Sequence, residues 1–163
     1  MKKIRQRTGG DKQDFLKLCT LSETTEIGRN SNFIQYKDEI VMVDAGYSFP
    51  GQEMYGIDYL IPNTKYLKKH KKDIKAILIT HGHLDHIGAL RWILPELDYP
   101  PIYAGGFAKS LIEEKMKEYK LEKKVKIFSV DRKSKINIGK YFKASFIVIN
   151  HSIPDAFSIF IES

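Results

Sequence analysis

An apolar run, Ile74 to Thr80, reads as a buried strand, and it opens directly into His81-Gly82-His83-Leu84-Asp85-His86. That junction constrains the fold more than any other stretch. Three imidazoles and a carboxylate in six positions converge only on a sharp loop held by a firm strand. Beyond the loop, Ile87, Leu90, Ile93, Leu94 and Leu97 recur at helical spacing, with Asp85 placed to cap the helix. Imidazole and carboxylate together suit borderline cations such as zinc or manganese. Alternate residues of such a loop point to different sides, so H-x-H-x-D-H can serve two adjacent cations. A surface loop rich in histidine by chance is the competing reading, but three of the five histidines sit here, between a strand and a helix.

The rest of the chain alternates strand and helix patterns before turning β-rich. Strands are expected at Phe15 to Thr20, Asn32 to Tyr36, Ile40 to Val43, Ile102 to Ala104 and Val125 to Val130. Helices are expected at Thr64 to Lys72, capped by Asn63 or Thr64, and at Ala108 to Tyr119. From Lys135 onward the pattern is β-rich, ending in a buried-strand alternation at Phe157 to Ile161. This succession predicts a layered α/β sandwich. Residues 1–13 are polar, basic and glycine-containing, and are expected to form a flexible arm.

A third nitrogen for the first cation is best supplied by His151, which follows the apolar strand Phe146 to Ile149 as His81 follows its own. The competing reading is a hydrogen-bonded strand-end histidine. Asp85 and His86 face the next position and are candidates for a second cation, paired cations being the usual clamp for phosphate displacement. Asp44 closes the strand Ile40 to Val43, where its carboxylate can brace the histidine loop from behind, as carboxylates commonly do for ligating imidazoles. His70, among lysines on a helix, reads as surface.

Composition narrows the setting. At 163 residues with 42% hydrophobic and 29% charged, the sequence is that of a one-domain globular chain. No apolar run approaches the ~20 residues of a membrane span, and none follows the basic start as in a signal peptide. A lone cysteine, Cys19, makes no internal disulfide; its apolar neighbours predict packing, and a cytoplasmic setting follows. The net charge of +7 favours a polyanionic partner such as RNA. Its densest groups, Lys65 to Lys72 and Lys115 to Lys124, also fit plain solvated helix faces.

The loop His81-Gly-His-Leu-Asp85-His86 resembles the signature of the metallo-β-lactamase superfamily, whose fold is an αββα sandwich. Further stretches resemble the RNase J family of β-CASP ribonucleases: Glu26-Ile-Gly-Arg-Asn30, Val43-Asp-Ala-Gly46 with Phe49-Pro50, Gly56-Ile-Asp-Tyr-Leu-Ile-Pro62 and His151-Ser-Ile-Pro-Asp-Ala156. The resemblance implies hydrolysis of RNA phosphodiesters, in 5′-to-3′ exonuclease and endonuclease modes, with two zinc or manganese ions. His81, His83 and His151 would hold one ion and Asp85 and His86 the other. Asp85 would also handle the proton of the attacking water or the leaving oxygen. Two departures are Ser22-Glu-Thr-Thr25, where the family is glycine-rich, and Ser31, where methionine is common. Family members continue to a metal-bridging aspartate, the β-CASP domain and a further histidine. Residues 14–163 are therefore expected to be a partial domain, the first half of the sandwich plus the start of the second, without the β-CASP domain. Little activity and an incomplete second metal site are expected of this chain alone, and homo-oligomers of a full-length protein. Two alternatives remain open at this point: a small-molecule thioester or lactone hydrolase of the same superfamily, and a non-catalytic remnant that binds RNA or a partner.

Overall fold

The structure is a computed structural model that describes residues 14–21 and 28–163. The expected arm over 1–13 and the departure at 22–25 lie outside the described residues. Among the described residues, nine strands and four helices follow in the order β1 (Leu16–Thr20), β2 (Asn32–Tyr36), β3 (Glu39–Val43), α1 (Lys65–Lys69), β4 (Ile74–Leu78), α2 (Leu84–Ile87), α3 (Leu90–Glu96), β5 (Ile102–Gly105), α4 (Gly106–Glu118), β6 (Ile127–Val130), β7 (Lys135–Ile138), β8 (Phe142–Val148) and β9 (Phe157–Glu162).

Strands β1 to β6 form one sheet in sequence order, antiparallel through β3 and parallel from β3 to β6. Strands β7 to β9 form a second, antiparallel sheet. Side chains alternate across a strand, so β4 feeds two cores. Ile77 packs with Ile40, Met42, Leu67, Leu90, Ile93 and Ile112 under the helices. Ala76 and Leu78 pack with Val41, Phe142, Ala144, Phe146 and Phe157 between the sheets. The order of layers is helices, sheet, sheet, as expected for part of an αββα sandwich. Glu39, 3% exposed, ties the sheets together by accepting the backbone N–H groups of Lys140 and Tyr141 at 2.8 and 3.1 Å. A side chain at Gly139, whose φ is +60°, would collide with that carboxylate.

Four expectations change. The helix after the histidine loop is two short ones, α2 and α3, divided at Gly88–Ala89. His83 takes the N-cap position of α2, and Asp85 lies in its first turn instead of capping it. Cys19 is exposed, as is all of β1. Strand β9 is buried on one face only, its Phe160 standing in solvent. No described helix is long and apolar enough to cross a membrane.

Candidate metal centre

His81 enters the site from the end of β4, and His151 from the loop between β8 and β9. That second loop is pinned at three points. The Phe157 N–H donates to the Thr80 carbonyl at 2.9 Å, and Ile149 N–H to Ala156. The Asp155 carboxylate accepts the Phe107 N–H, 3.0 Å away, in the first turn of α4. These bonds bring residues 70 positions apart together: His151 Nε2 lies 3.0 Å from His81 Nε2, and His83 Nδ1 lies 3.0 Å from the same atom. One ring nitrogen from each of His81, His83 and His151 falls within 4.8 Å of the others. His81 is buried, and burial, followed by the neighbouring imidazoles, lowers its pKa from 6.5 to about 4. It is therefore neutral at physiological pH, with a lone pair for a ligand. Among borderline and hard divalent cations such a nitrogen-only set favours the former, and the donors fit one divalent ion.

A second group lies alongside. The Asp85 carboxylate is 3.4 Å from His86 Nε2, and the Asn30 amide nitrogen stands between them, 2.9 Å from Asp85 Oδ2 and 3.1 Å from His86 Nε2. Nδ1 on the far side of the His86 ring is 2.8 Å from Asp44 Oδ2. Burial alone would lower the pKa of His86, but the Asp44 hydrogen bond and the charges of Asp44 and Asp85 outweigh it, and the net shift is upward. Asp44 also accepts the Thr80 N–H and hydroxyl, each at 2.8 Å. It holds this position at φ +62°, a left-handed conformation that aspartate tolerates better than most residues and that the three bonds to its carboxylate compensate.

The backbone packs equally tightly. Asn30 N–H donates to the Asp85 carbonyl, Ala45 N–H to the His86 carbonyl and Gly46 N–H to the Asn30 carbonyl, all within 2.9 Å. A Cβ on Gly46 would sit 1.5 Å from the Asp85 carbonyl oxygen, so only glycine allows the strand end and the loop to meet.

The candidate site residues named from sequence thus lie in one place: His81, His83 and His151 converge, Asp85 and His86 adjoin, and Asp44 stands behind. His70 lies apart, bonded to Asp73 at 3.1 Å and stacked on Tyr66. Two residues of the site escaped the sequence reading as individuals. Asn30 and Asp155 carry no ligand signature of their own, and only the motifs Gly-Arg-Asn and Ser-Ile-Pro-Asp marked their neighbourhoods.

Comparison with known proteins found relatives in sequence and in fold. Residues 24–156 match the model of the metallo-beta-lactamase superfamily. The chain is 40% identical over 147 residues to ribonuclease J of Mycoplasma pneumoniae, covering 90% of this chain and 26% of that protein. With ribonuclease J of Thermus thermophilus it shares 37% identity, over 94% of this chain and 28% of the other. The chain thus spans about a quarter of the length of these relatives. Among solved structures, a protein of unknown function from Enterococcus faecalis superposes with a TM-score of 0.67 at 18% identity, over 91% of this chain and 41% of its own. A diphosphatase of the PhnP family gives 0.57 at 19% identity, over 82% and 48%. These two likenesses bear on the fold.

Proposed function

Because this chain belongs to the metallo-β-lactamase superfamily, we propose that it is the metal-binding part of a ribonuclease of the RNase J type, a cytoplasmic enzyme that hydrolyses RNA phosphodiesters. The observation that carries the reading is the meeting of three imidazole nitrogens within 4.8 Å beside the Asp85–His86 pair. His81, His83 and His151 would hold one ion and Asp85 with His86 the other, zinc before manganese given the imidazole-rich set. The chemistry that divalent cations bring when bound is Lewis acidity, which makes water acidic enough to attack at neutral pH and offsets charge on phosphoryl oxygens.

The protein's own contribution is orientation and proton handling. Asp44 accepts from His86 Nδ1 and so turns Nε2 toward Asp85. The Asn30 amide fixes the Asp85 carboxylate through one oxygen. A carboxylate so held can accept a proton from attacking water and return it to the leaving oxygen. The basic surface, +7 overall, draws the polyanion in.

The two groups of donors are unequal, and that gives a test. Three imidazoles meet at the first position, whereas Asp85 and His86 share the second with an amide. Elemental analysis of the purified chain should find one tightly held ion per molecule, lost in His81→Ala, and turnover of 5′-monophosphorylated RNA by this chain alone should be slight. In a full-length parent protein Asp85→Ala should lower kcat about 10²–10⁴-fold. Two ions held equally tightly would contradict the inequality. Thioester hydrolysis without RNA cleavage by that parent would favour a small-molecule hydrolase. RNA binding indifferent to both chelation and His81→Ala would favour a non-catalytic binding module.

A further inference from the structure

Thr80, the residue before His81, stands between the two groups of donors. Its Oγ1 lies 2.8 Å from Asp44 Oδ2, 3.0 Å from His81 Nδ1 and 3.2 Å from His86 Nδ1. Three partners meet a hydroxyl with one proton and two lone pairs, so the direction of each bond follows by elimination. The Asp44 carboxylate can only accept, and it takes the hydroxyl proton. The hydroxyl oxygen then has nothing left to donate to either ring. His81 Nδ1 must therefore carry a proton and donate it to Thr80, since two facing lone pairs at 3.0 Å would repel. His86 Nδ1 donates to Asp44 Oδ2 at 2.8 Å and faces the same hydroxyl oxygen more weakly.

A neutral imidazole carries one ring proton. With that proton on Nδ1, His81 Nε2 is a bare lone pair, and Nε2 is the atom that lies 3.0 Å from both His83 Nδ1 and His151 Nε2. The buried Asp44 carboxylate thus reaches both donor groups, His86 directly and His81 through one hydroxyl. Folding alone does not call for that hydroxyl. The Thr80 backbone N–H already ties the strand end to Asp44 Oδ1 at 2.8 Å, and valine would keep both this bond and the branched shape. What the hydroxyl adds is a direction for the proton on His81.

We infer that Thr80 is a positioning residue whose hydroxyl relays the Asp44 carboxylate to His81 and selects the tautomer that offers Nε2 to a cation. One carboxylate thereby sets the tautomer of an imidazole in each donor group. The inference rests on the metal-centre reading above and adds to it how the ring entering from β4 is aimed.

The tautomer can be read without any ion, from the ring-nitrogen NMR shifts of the chain labelled in histidine, His81 being the signal lost in His81→Gln. The metal-free chain should hold His81 in the Nδ1–H form. Thr80→Ser, which keeps the hydroxyl, should leave it so, whereas Thr80→Val should populate the Nε2–H form as well. Asp44→Asn, tolerated at a left-handed φ, gives the sharpest contrast. Its side-chain oxygen must still accept the Thr80 N–H, so its amide nitrogen takes the place of Oδ2 and donates to the hydroxyl. The hydroxyl proton then turns to His81 Nδ1, and the ring should switch to the Nε2–H form. Adding Thr80→Val to Asp44→Asn should remove that switch. Zinc affinity of the same samples should fall about 10–100-fold in Thr80→Val and be retained in Thr80→Ser. An Nε2–H form in the parent chain, or a tautomer unmoved by both Thr80→Val and Asp44→Asn, overturns the relay. A parent chain in the Nδ1–H form that takes up no zinc overturns the metal reading and leaves the relay standing.

Discussion

Asn30 places a single amide nitrogen against both Asp85 and His86, where a cation shared by those two residues would have to sit. Replacing it with a carboxylate converts a competitor into a ligand of nearly the same shape. Asn30→Asp should therefore strengthen uptake of a second ion, about tenfold or more, read as a second equivalent in a zinc titration. The titration of His81 gives another expectation. Its pKa falls from 6.5 in the unfolded chain to about 4 in the fold, so the unfolded state binds more protons between those values. The contribution of neutral His81 to stability is complete above pH 6.5 and is lost as pH falls toward 4. His86, raised by Asp44, works in the opposite sense: its stabilisation is present below 6.5 and is lost as pH rises through its elevated value. In chelator, the melting temperature of the parent should thus drop relative to His81→Gln between pH 7 and pH 5. A constant difference would mean that the imidazole is not desolvated. The candidate ligands were legible in sequence because imidazole and carboxylate are rare, and their clustering is a signal. Asn30, 55 positions before Asp85, is a common residue whose role exists only once β2 and β3 have folded beside the loop.

At the scale of elements, the site depends on close approaches that a sequence shows only as small residues. Gly46→Ala would drive a methyl group into the Asp85 carbonyl, and the loop must shift to admit it. A loss of about 1–3 kcal/mol in denaturant unfolding, together with loss of the tightly held ion, is expected. Asp155 acts at a distance, tethering the His151 loop to the first turn of α4. Asp155→Ala should cost about 1 kcal/mol, as lost caps do, and should weaken zinc binding while leaving His81 and His83 in place. Most elements were legible from hydrophobic period. The helix after the loop was the exception, since Ile87 and Leu90 obey one period although Gly88 and Ala89 divide the helix beneath them. Cys19 misled for another reason. Its apolar neighbours Leu16 and Leu18 lie on an edge strand, with exposures of 56 and 74%, so local hydrophobicity was no guide to burial.

For the molecule as a whole, the outward face of the second sheet carries Ile147 and Phe160, each 55% exposed. Apolar side chains on an open sheet face promote association. Ile147→Lys with Phe160→Lys should lower light scattering at high protein concentration and leave zinc content unchanged. The sandwich could be foreseen from the order of patterns. Which face of β9 stays bare could not, because alternation marks two faces without saying which is covered. A last consequence comes from β4, buried on both sides and carrying His81 at its end, while His151 hangs from the sheet beyond. An ion held by both histidines is a cross-brace between two separately packed layers, and it couples their melting. Calorimetry of the zinc-loaded chain should show one sharp endotherm. After chelation the layer of β7 to β9 should come away first, and the endotherm should broaden into two.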